Sequence, residues 1–185
     1  MLTLSSSLCS APVVLDPNTA HPSLIISEDL TSFEMTNSTQ TLPDIPERFH
    51  FSHCVLGSEG FNSGSHYWDV EVGDSTCWCV GVTTESNKRK RGTFTWEREW
   101  RVGYNEFRLH FPGPVHKLEQ NLHTLRVHLD CDKGQLSFSD PLQNTHLHTF
   151  KHTFTEKVLP FFRSYRSLSI LPLKPSVTIE QHRLC

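Results

Sequence analysis

The sequence has no long apolar run and no excess of positive charge. No stretch approaches the roughly 20 apolar residues that a membrane-spanning helix needs, so no membrane role is expected. Its 17 Lys and Arg residues are outnumbered by 20 Asp and Glu, for a formal net charge of −3. That balance gives no broad positive field of the kind nucleic-acid binding depends on. Helical periodicity is hard to find anywhere. The six cysteines stand at 9, 54, 77, 79, 131 and 185, a spacing unlike the compact framework of a disulfide-stapled secreted domain. The opening MLTLSSSLCSA lacks the positive start and sustained apolar stretch of a secretion signal and reads as a flexible lead-in. These absences place the thiols in a reducing compartment, so the expected location is cytoplasmic. In that setting the sequon Asn37-Ser38-Thr39 carries no sugar.

Catalytic machinery is equally scarce. Gly60-Phe61-Asn62-Ser63-Gly64 approximates a nucleophile elbow, but its serine is fourth rather than third and no helix follows. No phosphate-cradling loop and no dinucleotide fingerprint is present. Cys77 and Cys79 lie two apart, which on a strand points both thiols the same way; His146, His148 and His152 form a second cluster, with His146 and His148 expected on one strand face. Neither supplies the paired spacings of a zinc site. The expectation is small residues packed opposite Trp78 and a polar sheet face, with no metal, no cofactor and no enzyme activity. Lys88-Arg89-Lys90-Arg91 is the one strong charge run. It reads as a solvated loop tip, with a contact to RNA or another anionic ligand as the alternative.

What the sequence does have is alternation. Trp68, Val70 and Val72 share one face of a short segment, as do Trp78, Val80 and Val82, Phe107, Leu109 and Phe111, Leu125, Val127 and Leu129, and Leu136 and Phe138. Period two is the mark of half-buried strands. Asp130-Cys131-Asp132-Lys133-Gly134 joins two of these segments as a hairpin turn ending in a glycine that accepts positive φ. Many short strands between Gly, Pro, Asn and Ser clusters predict an all-β, two-layer antiparallel sandwich with one wet face on each sheet. At 185 residues the chain is long enough for one domain with a real core.

Specific strings then carry a resemblance. Leu15-Asp16-Pro17-Asn18-Thr19-Ala20-His21-Pro22 and Pro46-Glu47-Arg48-Phe49 resemble the opening and end of a PRY segment. Val55-Leu56-Gly57-Ser58-Glu59-Gly60-Phe61, Ser63 to Val72, Trp78 to Val82, Leu129 to Phe138, Phe154 to Phe162 and Leu168 to Pro172 resemble successive SPRY signatures, in order, over residues 14 to 173. The chain is thus similar to the PRY-SPRY (B30.2) domains of tripartite-motif (TRIM) ubiquitin ligases and fish NOD-like receptors. It departs from them at Cys131, where the family usually has Tyr. The resemblance implies a concanavalin-like jelly roll. It implies a flexible stretch at 1–13, a PRY segment at 14–60, a SPRY segment at 61–174 and a tail at 175–185. It also implies a protein target, recruited for a ligase whose RING lies outside this chain, in innate immunity. The alternative is ligand sensing in a NOD-like receptor. The isolated domain is expected to be monomeric and its parent oligomeric.

The conserved-looking strings are scaffold: Trp68, Trp78, Phe138 and Phe161 are expected in the core. Binding surfaces in such domains come from the segments between, here 29–48, 84–117, 140–145 and 163–167. Within them the bulky, partly polar side chains are Trp96, Arg98, Tyr104, Phe107, Arg163, Tyr165 and Arg166, the candidate partner-binding set. Tyr165, between two arginines, offers large contact area at little rotamer cost.

Overall fold

The computed structural model describes residues 12–87, 98–106 and 115–173. Among these described residues twelve strands run in chain order: β1 (Leu24–Ile26), β2 (Ser32–Met35), β3 (Cys54–Leu56), β4 (Ser65–Glu71), β5 (Cys77–Thr84), β6 (Glu99–Asn105), β7 (His116–Lys117), β8 (Thr124–Asp130), β9 (Gln135–Asp140), β10 (Thr145–Lys151), β11 (Val158–Ser164) and β12 (Ser167–Ile170). They form a seven-stranded sheet, β1-β2-β12-β4-β8-β9-β10, and a five-stranded sheet, β3-β11-β5-β6-β7. All pairings are antiparallel except β6 with β7. This is the two-layer sandwich the alternation predicts.

The main core lies between the sheets. Trp68, Val70, Leu125, Val127, Leu129, Leu136 and Phe138 of the larger sheet meet Val55, Trp78, Val80, Val82, Val102 and Phe162 of the smaller one. The hairpin joining β8 to β9 is as expected: Gly134 has φ +61°, and the Asp130 carboxylate accepts the Lys133 amide at 2.9 Å. Cys131, in this turn, still packs its smaller side chain against the main core.

The two outer faces differ. β4, β8 and β9 alternate between buried and partly exposed residues, so the larger sheet has the predicted wet face. β3, β5 and β11 are buried at every position. The expectation of one wet face per sheet therefore fails for the five-stranded sheet. Its outward residues Cys54, Leu56, Cys77, Cys79, Leu159 and Phe161 form a second apolar cluster with Phe49. Phe161 thus fills this outer layer rather than the sandwich interior.

The PRY end builds part of that cover. Arg48 is buried and donates from Nε to the Pro43 carbonyl (3.1 Å) and from Nη1 to those of Pro17 (3.0 Å) and Ala20 (2.8 Å). One guanidinium thereby ties the 43–48 segment to the 17–20 turn. Phe49, next in sequence, sets its ring edge-on to Phe161 at 6.2 Å.

Candidate functional site

Because strands β3, β11, β5 and β6 pair in register, their outward residues form rows. Cys54, Arg163, Cys79 and Gly103 make one row; Leu56, Phe161, Gly81 and Arg101 make the next; Leu159, Thr83 and Glu99 follow. Gly81 is required where it stands, since a Cβ there would lie 1.9 Å from the Trp100 carbonyl oxygen of β6. The rows place two guanidinium groups and one carboxyl on a floor otherwise made of two thiols, two leucines, Phe161, Thr83 and glycine.

This floor is charged and dry. Glu99 and Arg101 are side-chain neighbours at 2.7 Å with no exposed surface. The approach lacks hydrogen-bond alignment, as neither Glu99 oxygen has a hydrogen-bond partner among the described residues. Burial pushes the Glu99 carboxyl up to about 8, against the pull of Arg101 and Arg163. Arg101 also reaches the Cys79 sulfur at 3.6 Å and lies 5.3 Å from the Phe161 ring centroid. Burial raises the thiols of Cys54, Cys77 and Cys79, which makes them poor nucleophiles. Cys54 and Cys79 flank β11. Two strand spacings, roughly 9–10 Å, exceed the span of a disulfide.

Arg163 carries the floor to the surface. It sits on β11 rather than in the link predicted at 163–167, and only 7% of it is exposed. Two-residue alternation from Leu159 and Phe161 turns it outward onto the covered face. Its Nη2 donates to the Tyr165 hydroxyl at 2.7 Å, and its guanidinium carbon is 5.2 Å from the Tyr165 ring centroid. Tyr165 occupies the tight turn to β12 and is 42% exposed, with Arg166 exposed beside it. On its other side Tyr165 meets the His53 ring edge-on at 5.4 Å, and His53 meets His21 at 4.6 Å. Phe51, 64% exposed, lies two residues before His53.

The remaining candidates scatter. Arg98 is exposed and donates to Ser86 at 2.9 Å. It lies at the Thr84–Glu99 end of the sheet, whereas Tyr165 lies at the Cys77 end, roughly 20 Å along the strands. Beside Arg98, residues Asp16, Glu47, Glu85 and Asn87 help line a cleft of about 590 Å³. Tyr104 turns the other way: it pairs with Trp78 and packs on the main core, so the alternation of β6 gives it an inner-face position. Trp96, Phe107 and the Lys88–Arg91 run lie outside the described residues. The structure therefore unites Arg163, Tyr165 and Arg166, and adds His21 and His53, which sequence reasoning missed. The continuous apolar run of β11 marks a strand covered on both faces, but it carries no signal for these histidines, which only long-range folding brings to Tyr165.

The histidine expectation is corrected. A register shift between His146 and His148 pairs the first with Ser139 and the second with Phe138. One inserted residue reverses the alternation, so the two rings point to opposite faces. His148 stacks on His116 at 3.8 Å, while His146 bonds to the Thr149 hydroxyl at 2.8 Å. Among the described residues no three His, Cys, Asp or Glu side chains are placed to hold a metal ion.

Comparison with known proteins follows the same lines. The PRY (SPRY-associated domain) model matches residues 13–61, and the SPRY domain model matches residues 65–170. Butyrophilin subfamily 2 member A2 of Mus musculus is 40% identical over 92% of this chain and 34% of its own length. Nuclear factor 7, ovary, of Xenopus laevis is 40% identical over 83% of this chain and 26% of its own length. Zinc finger protein RFP of Homo sapiens is 40% identical over 85% and 32%. The chain thus spans about a quarter to a third of these relatives. Among solved structures, the TRIM65 PSpry domain superposes with a TM-score of 0.70 at 20% identity, covering 93% of this chain and all of that one. Stonustoxin superposes with a TM-score of 0.67 at 27% identity, covering 88% of this chain and 29% of its own.

Proposed function

Since the chain belongs to the PRY-SPRY family, a family of protein-interaction modules, we propose that it holds a protein target through the end of the five-stranded sheet around Tyr165. In this reading the domain is the substrate-recruiting part of a TRIM-type ubiquitin ligase that acts in the cytoplasm in innate immunity, and the chemistry belongs to another part of the parent protein. The contacts are Tyr165 and Arg166, with Arg163 as the positioning residue beneath them.

One observation carries the reading. Tyr165 is an exposed aromatic whose position is fixed from three sides: by the Arg163 guanidinium (2.7 Å), by the His53 ring, and by its own backbone amide, which donates to the Cys77 carbonyl at 3.1 Å. A large side chain already ordered before contact loses little entropy on binding, which is what distinguishes an interface anchor from an ordinary surface residue.

Photo-crosslinking tests it. A photoreactive residue at position 165 is expected to give discrete protein adducts in cytosolic extract, while the same residue at position 149, on the wet face, gives none. Tyr165→Ala and Arg166→Ala are expected to reduce capture of the adducted protein with unfolding temperature unchanged. Adducts from position 149 alone, or from neither position, would overturn the assignment.

A further inference from the structure

We propose that the surface around Tyr165 is built for an acidic segment of the protein partner, a stretch of Asp or Glu side chains. The inference rests on the reading of this surface as the recognition site and names the chemistry it selects.

The hydrogen-bond geometry of Tyr165 points to an acceptor. Arg163 is donor-only, so in the 2.7 Å contact the phenol oxygen accepts. The phenol proton is therefore turned away from Arg163, on a side chain that is 42% exposed. It is placed to donate outward, and a carboxylate oxygen is the strongest acceptor a protein partner can bring.

The surrounding charge points the same way. His53 faces His21, Tyr165 and Arg163. His21 also faces His50, whose carbonyl its Nε2 meets at 3.2 Å. The thiols of Cys54 and Cys77 lie on the adjoining strands, raised by burial and neutral. Glu34 lies opposite Ser167 across the β2–β12 ladder, next to Arg166, and Glu106 follows Asn105, which pairs with Cys77; two further carboxyls are occupied. Asp44 is already engaged by His50 at 2.9 Å. Glu99 is sealed beneath the surface against Arg101. Neither His21, His53 nor Tyr165 contacts a carboxylate. The exposed Arg166 and the His53 ring thus flank Tyr165 at a surface where His53 and Tyr165 have no carboxylate partner.

The same cluster makes recognition depend on pH. In the free domain, burial and then the Arg163 charge hold the His53 ring below its ordinary value; burial and then His53 do the same to His21. Both rings are neutral at pH 7. An incoming carboxylate supplies the missing anion and favours the protonated His53 ring, so binding takes up protons; His21 stays neutral, its Nδ1 accepting the Ser23 amide at 3.1 Å and its Nε2 donating to the His50 carbonyl at 3.2 Å. By linkage, affinity rises as pH falls toward 6. A basic segment would show the opposite sign.

Fluorescence anisotropy with labelled twelve-residue probes tests this on the 185-residue chain. The probes are a Glu-rich, a Lys-rich and an uncharged Gly-Ser peptide, and a single-stranded RNA of equal length. The Glu-rich peptide is expected to bind at least about tenfold more tightly than the uncharged one, the worth of one charge-assisted hydrogen bond. Its binding is expected to strengthen several-fold from pH 7.5 to 6.0 and to weaken with salt. Tyr165→Phe, which keeps the ring and removes the donor, is expected to lose several-fold in affinity, and Arg166→Glu most of it. Thr149→Glu, on the wet face, changes nothing. Unfolding temperatures measured at each pH separate binding from folding. Three results would overturn the proposal: equal or tighter binding of the Lys-rich or uncharged peptide or of RNA, indifference to Tyr165→Phe and Arg166→Glu in folded protein, or weaker binding at pH 6. If position 165 still crosslinks to a protein while acidic probes show no preference, only the chemistry is wrong. If it crosslinks to nothing, the recognition site itself is wrong.

Discussion

The outer faces of the two sheets are made by the same alternation and end up in opposite states. On the seven-stranded sheet, Tyr67, Asp69, Arg126, His128, Ser137 and Thr149 remain in contact with water. Their polar groups satisfy one another laterally: Ser65 with His128 at 2.6 Å, Ser137 with Thr149 at 3.0 Å. On the five-stranded sheet the equivalent positions hold Phe161, Cys79, Arg101 and Glu99, all buried. A polar face in water stabilises little and recognises little. A covered face can hold charges in a dry setting, where they act over longer range, and can fix a side chain such as Tyr165 at its margin. That difference is why the proposed recognition site is placed on the smaller sheet.

The largest effect expected from the comparison is on packing. Phe161→Ala removes a ring enclosed between Phe49, Leu56 and Arg101 and is expected to cost about 3–5 kcal/mol, as measured by denaturant midpoint. A loss near that of a surface substitution would mean the outer layer is only loosely laid on. Next comes Gly81→Ala. Its added methyl meets the Trp100 carbonyl at 1.9 Å, a backbone atom that cannot swing aside, so β5 and β6 must part. Destabilisation of about 1–3 kcal/mol or more is expected. Smaller losses would show that the β5–β6 ladder gives more than the close contact implies.

Much of the fold was legible because alternation reports one buried face directly. Trp68, Val70, Leu125, Val127 and Phe138 fall inside as their period-two spacing requires. The covered face was less legible. In Val158-Leu159-Pro160-Phe161-Phe162 both faces are apolar, and such a run says a strand is enclosed without saying by what. Part of the cover arises from 43–49, a segment with no periodicity, pinned by a buried Arg48 whose three backbone acceptors are 5 to 31 residues away in sequence. Arg163 was chosen for its charge and Tyr165 for its bulk; that the first would be buried and orient the second depended on β11 continuing to Ser164. His53 and His21 were missed because only long-range folding brings them to Tyr165.

A third test, smaller in magnitude, uses pH. The Glu99 carboxyl is raised by burial from 4.5 to about 8, so the folded state holds a proton that the unfolded state releases. Its stabilising contribution is complete below pH 4.5 and is lost as pH rises through 8. Between pH 6 and 8 the loss is expected to be on the order of 1–2 kcal/mol, within the limit of about 1.4 kcal/mol per pH unit for one group. Glu99→Gln keeps the shape and neutral charge and should remove this slope, with little change in stability at pH 6. A variant with the same slope as the parent protein would place the titration elsewhere. The half-buried histidines contribute with the other sign. His21 and His53 are lowered on folding, so their contribution is lost as pH falls below 6.5, and the Glu99→Gln comparison cancels it.

The smallest effect belongs to the wet face, and it is the one that defines the contrast. Arg126 reaches Asp69 across β4 and β8 with two parallel contacts of 2.8 Å, Nε to Oδ1 and Nη2 to Oδ2. It also lies 5.9 Å from the Tyr67 ring centroid. By geometry this is the best ion pair on the larger sheet, yet the Arg126 side chain is 43% exposed. Water and salt compete for both partners, and exposed pairs contribute at most about 1 kcal/mol. A double-mutant cycle with Arg126→Gln and Asp69→Asn is expected to give a coupling below that value, shrinking further at high salt. Tyr165 crosslinking should be unaffected by either change. A coupling above about 2 kcal/mol would mean the wet face is electrostatically as dry as the covered one. The distinction between a solvated sheet and a functional one would then have to rest on Tyr165 alone.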